Sequence, residues 1–189
     1  MEVDETMPDA AALTALTRRI DRPIALVGMM GVGKSSVGKR LAAALDIPFV
    51  DADDEIEKAA KLTIPEIFEA FGEAGFRDGE RRVIARLIDG RPKVVATGGG
   101  AFVNAETRAL MLGKAITVWL DSDVETLIER TARRNNRPLL QQGDPRETLS
   151  RLKAERETAY AEAPIHVTSG AGTHARTVAK VLRGIDQWL

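Results

Sequence analysis

Four apolar residues, Ile24 to Val27, run directly into the glycine-rich stretch GMMGVGKS at residues 28–35. A short, fully apolar run is what a strand buried on both faces looks like. Beyond the glycines, Val37, Leu41, Ala44 and Leu45 share one side of a helical pattern. The spacing G-x-x-x-x-G-K-S therefore falls at a strand-to-helix turn. Glycines there let backbone N–H groups converge on one point without side-chain obstruction, and the following helix adds the positive end of its dipole. Such a nest suits the phosphates of a nucleotide. Lys34 would bridge the β- and γ-phosphates, and the Ser35 hydroxyl would ligate Mg²⁺. The blander alternative is a turn made only for tight strand–helix packing.

The rest of the chain alternates. "IPFVD" (47–51), "KVVATGGGA" (93–101), "AITVWL" (115–120) and "IHVT" (165–168) read as further strands. Helices are expected over "DEIEKAAK", from Thr63 with a capping box to Glu66, over "FRDGERRVIARLI", after Ser122 with a second capping box to Glu125, from Pro145, and over the last residues from Thr173. Strands alternating with helices imply a parallel sheet covered on both faces. Residues 1–22 precede the first strand as an extension in which "DAAALTALTRRI" can form a short amphipathic helix, and 23–189 reads as a single domain. Trp119 is expected in the core, and Trp188 is expected to pack the last helix onto the sheet.

Composition narrows the class. The net charge of −1 comes from 27 basic and 28 acidic residues, which gives no reason to expect a nucleic-acid or membrane surface. There is no cysteine, which excludes disulfides and thiolate metal sites and fits a reducing, cytoplasmic compartment. The acidic start and the lack of a long apolar run argue against a secretory signal or a membrane span. Neither His166 nor His174 has a cysteine or carboxylate at ligand spacing. The guanine-reading NKxD and the DxxG of GTPases are absent. A small chain with a polar, basic late segment (133–145) fits a kinase of a small molecule, and no long exposed apolar stripe argues against a monomer.

The second strand adds chemistry. Asp51 and Asp53 stand two apart at its carboxyl end, where ligands of parallel sheets bind. In extended chain both would face one cleft. One could hold Mg²⁺ through water while the other accepts a substrate hydroxyl. Asp54 and Glu55 read as ordinary helix-start acids. Arg133 and Arg134 read as charges complementing a helix C-terminus. Four arginines (130, 133, 134, 137) without interleaved aromatics are weak evidence for RNA binding.

"GMMGVGKSSVG", "FVDADDEIE", "IPEIFEAFGEAGFRDGE", "VVATGGGA", "RPLL" and "ERETAYAEA" stand in the order and spacing of shikimate kinases, which the chain resembles over about residues 23–175. The resemblance implies an α/β fold of the nucleoside monophosphate kinase type. Its five-stranded parallel sheet would have the order 2-3-1-4-5, with a substrate-binding region at about 51–80 and a lid at about 133–145. It implies ATP-dependent phosphorylation of the 3-hydroxyl of shikimate. Asp53 corresponds to the aspartate that binds shikimate hydroxyls and is the candidate base, and Asp51 to the one near Mg²⁺. Arg77 and Arg156 correspond to arginines gripping the shikimate carboxylate, and Gly99 to a backbone contact with it. Arg137 corresponds to a lid arginine reaching the phosphates, and Arg130 to the residue stacked on adenine. The ATP-binding set is then Gly31, Val32, Gly33, Lys34, Ser35, Ser36, Arg130 and Arg137, with Lys34, Asp53 and Arg137 catalytic. Residues 169–173 correspond to the rest of the adenine pocket. Ser36 stands where threonine is common, and either hydroxyl serves.

Arginine's planar fork pairs with a carboxylate bidentately, which lysine cannot do, so the implied acceptor suits the residues. Without the resemblance, Arg77 reads equally as an ion-pair partner of Glu73 or Glu80, and Arg156 of Glu155 or Glu157. Two other functions stay open at this point. One is another small-molecule kinase of this fold, of the gluconate type, which leaves the pair Arg77 and Arg156 unexplained. The other is a non-catalytic ATP-binding module, which has no need of Asp53 or the arginines.

Overall fold

β1, Ile24–Val27, has every residue fully buried, as its apolar run requires. In the computed structural model, which describes residues 6–132, 140, 143–170 and 172–189, this strand is the centre of a five-stranded parallel sheet. β2 (Phe49–Asp51), β3 (Val94–Ala96), β4 (Ile116–Asp121) and β5 (Ile165–Thr168) complete the order β2-β3-β1-β4-β5. Leu26 stands beside Ala96 on one side, and Val27 beside Trp119 on the other. The sheet order is the one the family resemblance implied.

Helices α1 (Ala10–Arg19), α2 (Lys34–Leu45), α3 (Ala52–Ala60), α4 (Ile64–Leu87), α5 (Ala105–Lys114), α6 (Val124–Ala132), α7 (Pro145–Tyr160) and α8 (His174–Trp188) flank it. The expected capping box of α4 is present: Thr63 Oγ accepts from Glu66 N, and Glu66 reaches back to Thr63 N at 2.7 Å. α4 joins what the sequence reads as two helices. Gly72, at φ 67° and ψ −177°, breaks the run, a conformation that essentially only glycine adopts.

Three expectations are corrected. The cap of α6 is Asp123, which accepts from Thr126 N at 2.8 Å. Ser122, just after β4, is buried and its hydroxyl has no partner. Trp188 is 40% exposed, because the face of α8 that meets the sheet is Val178, Val181, Leu182 and Ile185. Trp119 is core, as expected. Asp51 and Asp53 do not alternate along one strand. The helix begins at Ala52, so Asp51 ends β2 and caps α3, while Asp53 lies in its first turn.

α1 lies against α2. Its Leu16 and Ile20 enter the main core, Thr17 Oγ donates to Leu45 O at 3.2 Å, and Arg19 pairs with Asp186 of α8. Among the described residues no helix is long and apolar enough to cross a membrane.

Candidate active site

The loops that follow β1, β2 and β3 open on one cavity of about 660 Å³. Gly28, at φ 137°, makes the first turn possible. A Cβ there would lie 2.2 Å from the carbonyl oxygen of Leu120, so β1 can leave the sheet beside β4 only with glycine at this position. The loop closes at Gly33, which caps α2.

On this side of the cavity the polar groups are held by the chain itself. Lys34 is 8% exposed, and its Nζ donates to Gly28 O at 2.7 Å and Met29 O at 2.8 Å. Ser35 Oγ donates to Asp51 Oδ2 at 2.5 Å, while Asp51 Oδ1 accepts from Asp53 N at 3.0 Å. Arg130 donates to Val32 O and Gly170 O, both at 3.0 Å, and so ties α6 to the phosphate loop and to the segment after β5. Gly31, Gly33, Ser36, Arg130 and Thr173 line the cavity as expected. Val32 is fully buried in the core and does not line the cavity, and its carbonyl is taken by Arg130. His174 also lines this end, close to Gly33. Burial, with Arg40 and Arg130 nearby, holds its imidazole below the usual histidine range and so favours the neutral form.

The opposite side is built differently. Gly98, Gly99 and Gly100 form a bare floor on which four charged side chains lie. A Cβ on Gly98 would meet Glu80 Oε1 at 2.5 Å and Asp53 Oδ1 at 3.2 Å. One on Gly99 would meet Arg156 Nη1 at 3.4 Å, and one on Gly100 the Arg77 guanidinium at 2.5 Å. The triple glycine thus makes room for the charges as well as ending the strand. Glu80, 3% exposed, accepts from Arg77 Nη1 at 2.8 Å through Oε2, but its Oε1 has no partner. Arg156, 7% exposed, keeps Nη1 buried and unpartnered. Burial pushes the Glu80 carboxyl above its ordinary range against the opposing pull of Arg77, Arg156 and Lys34. Phe68 and Phe76, with ring centroids 4.8 Å apart, supply an apolar wall.

Arg77 pairs with Glu80 and, at 3.4 Å, with Glu73, and it also lines the cavity. Arg156 forms no ion pair with Glu155 or Glu157 and lies instead beside Tyr160, one turn on. Glu155 is taken by Arg151 at 3.0 Å, and Arg156 turns inward. Asp51, Asp53, Arg77, Gly99, Arg130 and Arg156, spread over more than 100 residues of sequence, meet around one cavity. Arg137, with most of the expected lid 133–145, lies outside the described residues. Sequence reasoning passed over Glu80 as a site residue, because a glutamate among charged helix positions reads as solvated surface. The only available signal was its place three residues after Arg77, on the same helical face.

A family model described as shikimate kinase matches residues 30–186. A shikimate kinase of Novosphingobium aromaticivorans is 60% identical over the full length of both chains. The chain belongs to the shikimate kinase family. A solved structure of the shikimate kinase from Acinetobacter baumannii in complex with shikimate is similar at a TM-score of 0.83 and 38% identity, covering 91% of this chain and 97% of that one. A gluconokinase from Sinorhizobium meliloti, at 23% identity and a TM-score of 0.59 over 89% of this chain and 94% of that one, shares the fold. The cavity has two halves, one at the phosphate loop and one on the glycine floor, to which the function proposed below assigns the nucleotide and the acceptor.

Proposed function

We infer that the protein transfers the γ-phosphoryl group of ATP to the 3-hydroxyl of shikimate, giving shikimate 3-phosphate and ADP. The observation that carries this reading is the pair of arginines, Arg77 and Arg156, lying over Gly99 and Gly100 beside Asp53. They fit a carboxylate-bearing polyol, with the carboxylate between the guanidiniums and a hydroxyl toward Asp53. A gluconate-type acceptor leaves this pairing without a purpose, and a non-catalytic module has no use for Asp53.

In the transfer the acceptor oxygen forms a bond to the γ-phosphorus and the bond to the β,γ-bridging oxygen breaks. Asp53 orients the hydroxyl and is placed to take its proton. Lys34 exchanges the carbonyls of Gly28 and Met29 for phosphate oxygens and stabilises the charge that develops there. Arg77, Arg156 and the backbone at Gly99 hold the substrate so that attack is in line. Arg130 and the residues near Thr173 border the base, and Arg137 completes the phosphate clamp from the lid at 133–145.

A Mg²⁺ ion fits the donor set. Ser35 Oγ and Asp51 Oδ2 already lie together at the start of α2. A hydroxyl with a carboxylate acting through water is a hard-oxygen set of the kind Mg²⁺ takes in phosphate sites. Among the described residues no cluster of three acidic or histidine ligands competes with it. When bound, the ion would neutralise phosphate charge. We place the enzyme in the cytoplasm, where ATP is supplied, as a monomer.

The test is a coupled ADP-release assay with ATP and a panel of polyol acids. Shikimate alone should turn over, EDTA should abolish the rate and added Mg²⁺ should restore it. Turnover of gluconate in place of shikimate would overthrow the assignment. Light scattering should give a mass near 20.5 kDa.

A further inference from the structure

Tyr160 is the single tyrosine of the chain and is 1% exposed. Its ring stacks on Trp119 at a centroid distance of 5.9 Å, and Trp119 stacks in turn on His166 at 4.0 Å. The phenol is therefore locked by the β4–β5 side of the core. Its hydroxyl, with Met29 Sδ 3.9 Å away and the Arg156 guanidinium beside it, donates a hydrogen bond to the carbonyl of Gly99. Burial pushes the phenol up to about 12, so it stays protonated and a donor at any working pH.

The carbonyl it holds belongs to the peptide between Gly99 and Gly100, which lies between the Arg156 and Arg77 guanidiniums. A Gly–Gly peptide flips at small cost, because both residues accept φ of either sign. Left alone, this floor would alternate between presenting C=O and N–H to whatever lies between the arginines. A carbonyl turned there would repel an anion. Tyr160 also sits one turn after Arg156 on α7, so the same helix turn delivers one guanidinium to the cavity and orients the peptide below it.

We propose that Tyr160 is a positioning residue for the acceptor's carboxylate. By donating to the Gly99 carbonyl while lying against Arg156, it fixes in one orientation the Gly99–Gly100 peptide that floors the anion site. This rests on the reading of the acceptor half given above. A purely structural tyrosine would satisfy its own hydroxyl without bearing on one substrate more than the other.

Two measurements separate these roles. Tyr160→Phe keeps the ring and its stack on Trp119 and removes only the donor. The KM for shikimate should rise about three- to tenfold, the worth of one neutral hydrogen bond. The KM for ATP should stay within twofold of the wild type, as should kcat. Because the chain has one tyrosine, growth on 3-fluorotyrosine places a single ¹⁹F nucleus at position 160 of an otherwise unchanged protein. Its resonance should shift on adding shikimate and stay in place on adding ADP alone. A Phe variant with the wild-type KM for shikimate, or with both KM values raised equally, overturns the proposal. Should the Phe variant fail to fold, a resonance indifferent to shikimate overturns it. Wild-type protein that does not turn over shikimate at all instead removes the functional reading, and this inference falls with it.

Discussion

The two halves of the cavity handle their polar groups in opposite ways. At the phosphate loop the charged groups are held by the chain, Lys34 on two carbonyls, Arg130 on two more and Ser35 on Asp51, and the buried atom left without a partner there is the neutral His174 Nδ1. On the glycine floor Glu80 Oε1 and Arg156 Nη1 are buried with no partner. An unsatisfied buried polar group costs about 1–3 kcal/mol, more when charged. The nucleotide half can thus be folded with its charges satisfied, exchanging carbonyls for phosphate oxygens. The acceptor half holds charge in a strained arrangement that a substrate's oxygens would relieve. Binding energy from ATP should then depend on backbone geometry, and that from the acceptor on side-chain charge.

The largest expected effect lies where the halves meet. Asp53→Asn keeps size and some hydrogen bonding but removes the charge facing the acceptor hydroxyl. Turnover should fall on the order of 10²–10⁴-fold, the usual worth of a positioned acid or base, while the KM for ATP holds. An Asn variant that loses ATP affinity instead would put Asp53 in the nucleotide half and erase the division. Next comes Lys34→Met, which should cost about 10²–10³ in turnover, comparable to one preorganised charge-stabilising donor. The fold should survive, with the melting temperature lowered by a few degrees because the Gly28 and Met29 carbonyls lose a buried partner. Turnover unchanged in this variant would remove the phosphate-loop assignment.

The same division explains what was legible in the sequence. The nucleotide half is made by a backbone turn, and a turn of that shape demands glycine, lysine and serine at fixed spacing, so Gly28 to Ser35 announce it. The sheet order and Arg77, Gly99 and Arg156 became legible only through six motifs in order, because residues 53, 77, 99 and 156 come from four separate segments. Glu80 and Tyr160 escaped notice because neither residue type is unusual in a helix. Their role comes from facing a floor of glycines that arrives from β3. Local rules failed at short range as well. Ser122 and Asp123 both fit a cap, and only burial of the strand end chose between them. Asp51 and Asp53 shared the cleft for a reason other than strand alternation, because α3 began one residue after β2.

A smaller effect sharpens the contrast between charge and shape. Arg77→Lys and Arg156→Lys keep charge but lose the bidentate fork. Each should raise the KM for shikimate about ten- to 150-fold, the equivalent of roughly 1.5–3 kcal/mol for a charged hydrogen bond, with the KM for ATP unchanged. A shikimate analogue lacking the carboxylate should suffer a similar loss against wild type and much less against these variants, since the two changes remove the same interaction. Additive losses would mean that the arginines act on something other than the carboxylate.

The smallest expected effect concerns Glu80, and its sign decides whether burial or ion pairing governs the acceptor half. Burial raises the folded-state pKa of this carboxyl, while Arg77, Arg156 and Lys34 pull it down, and burial wins. A carboxyl with a raised folded pKa binds its proton more tightly folded than unfolded. Its contribution to stability is therefore fully present below the unfolded value, near 4.5, and is lost as pH rises through the folded one. Glu80→Gln mimics the protonated form at every pH. The melting temperature of Glu80→Gln relative to wild type should therefore rise between pH 4 and pH 8, other carboxylates cancelling in the difference. For a chain of this size each kcal/mol is about 2–4 °C, within reach of a thermal melt. A relative melting temperature that falls with pH would mean that the three cations hold Glu80 ionised. The acceptor half would then be a satisfied ion-pair network like its neighbour, and the contrast between the two halves would disappear.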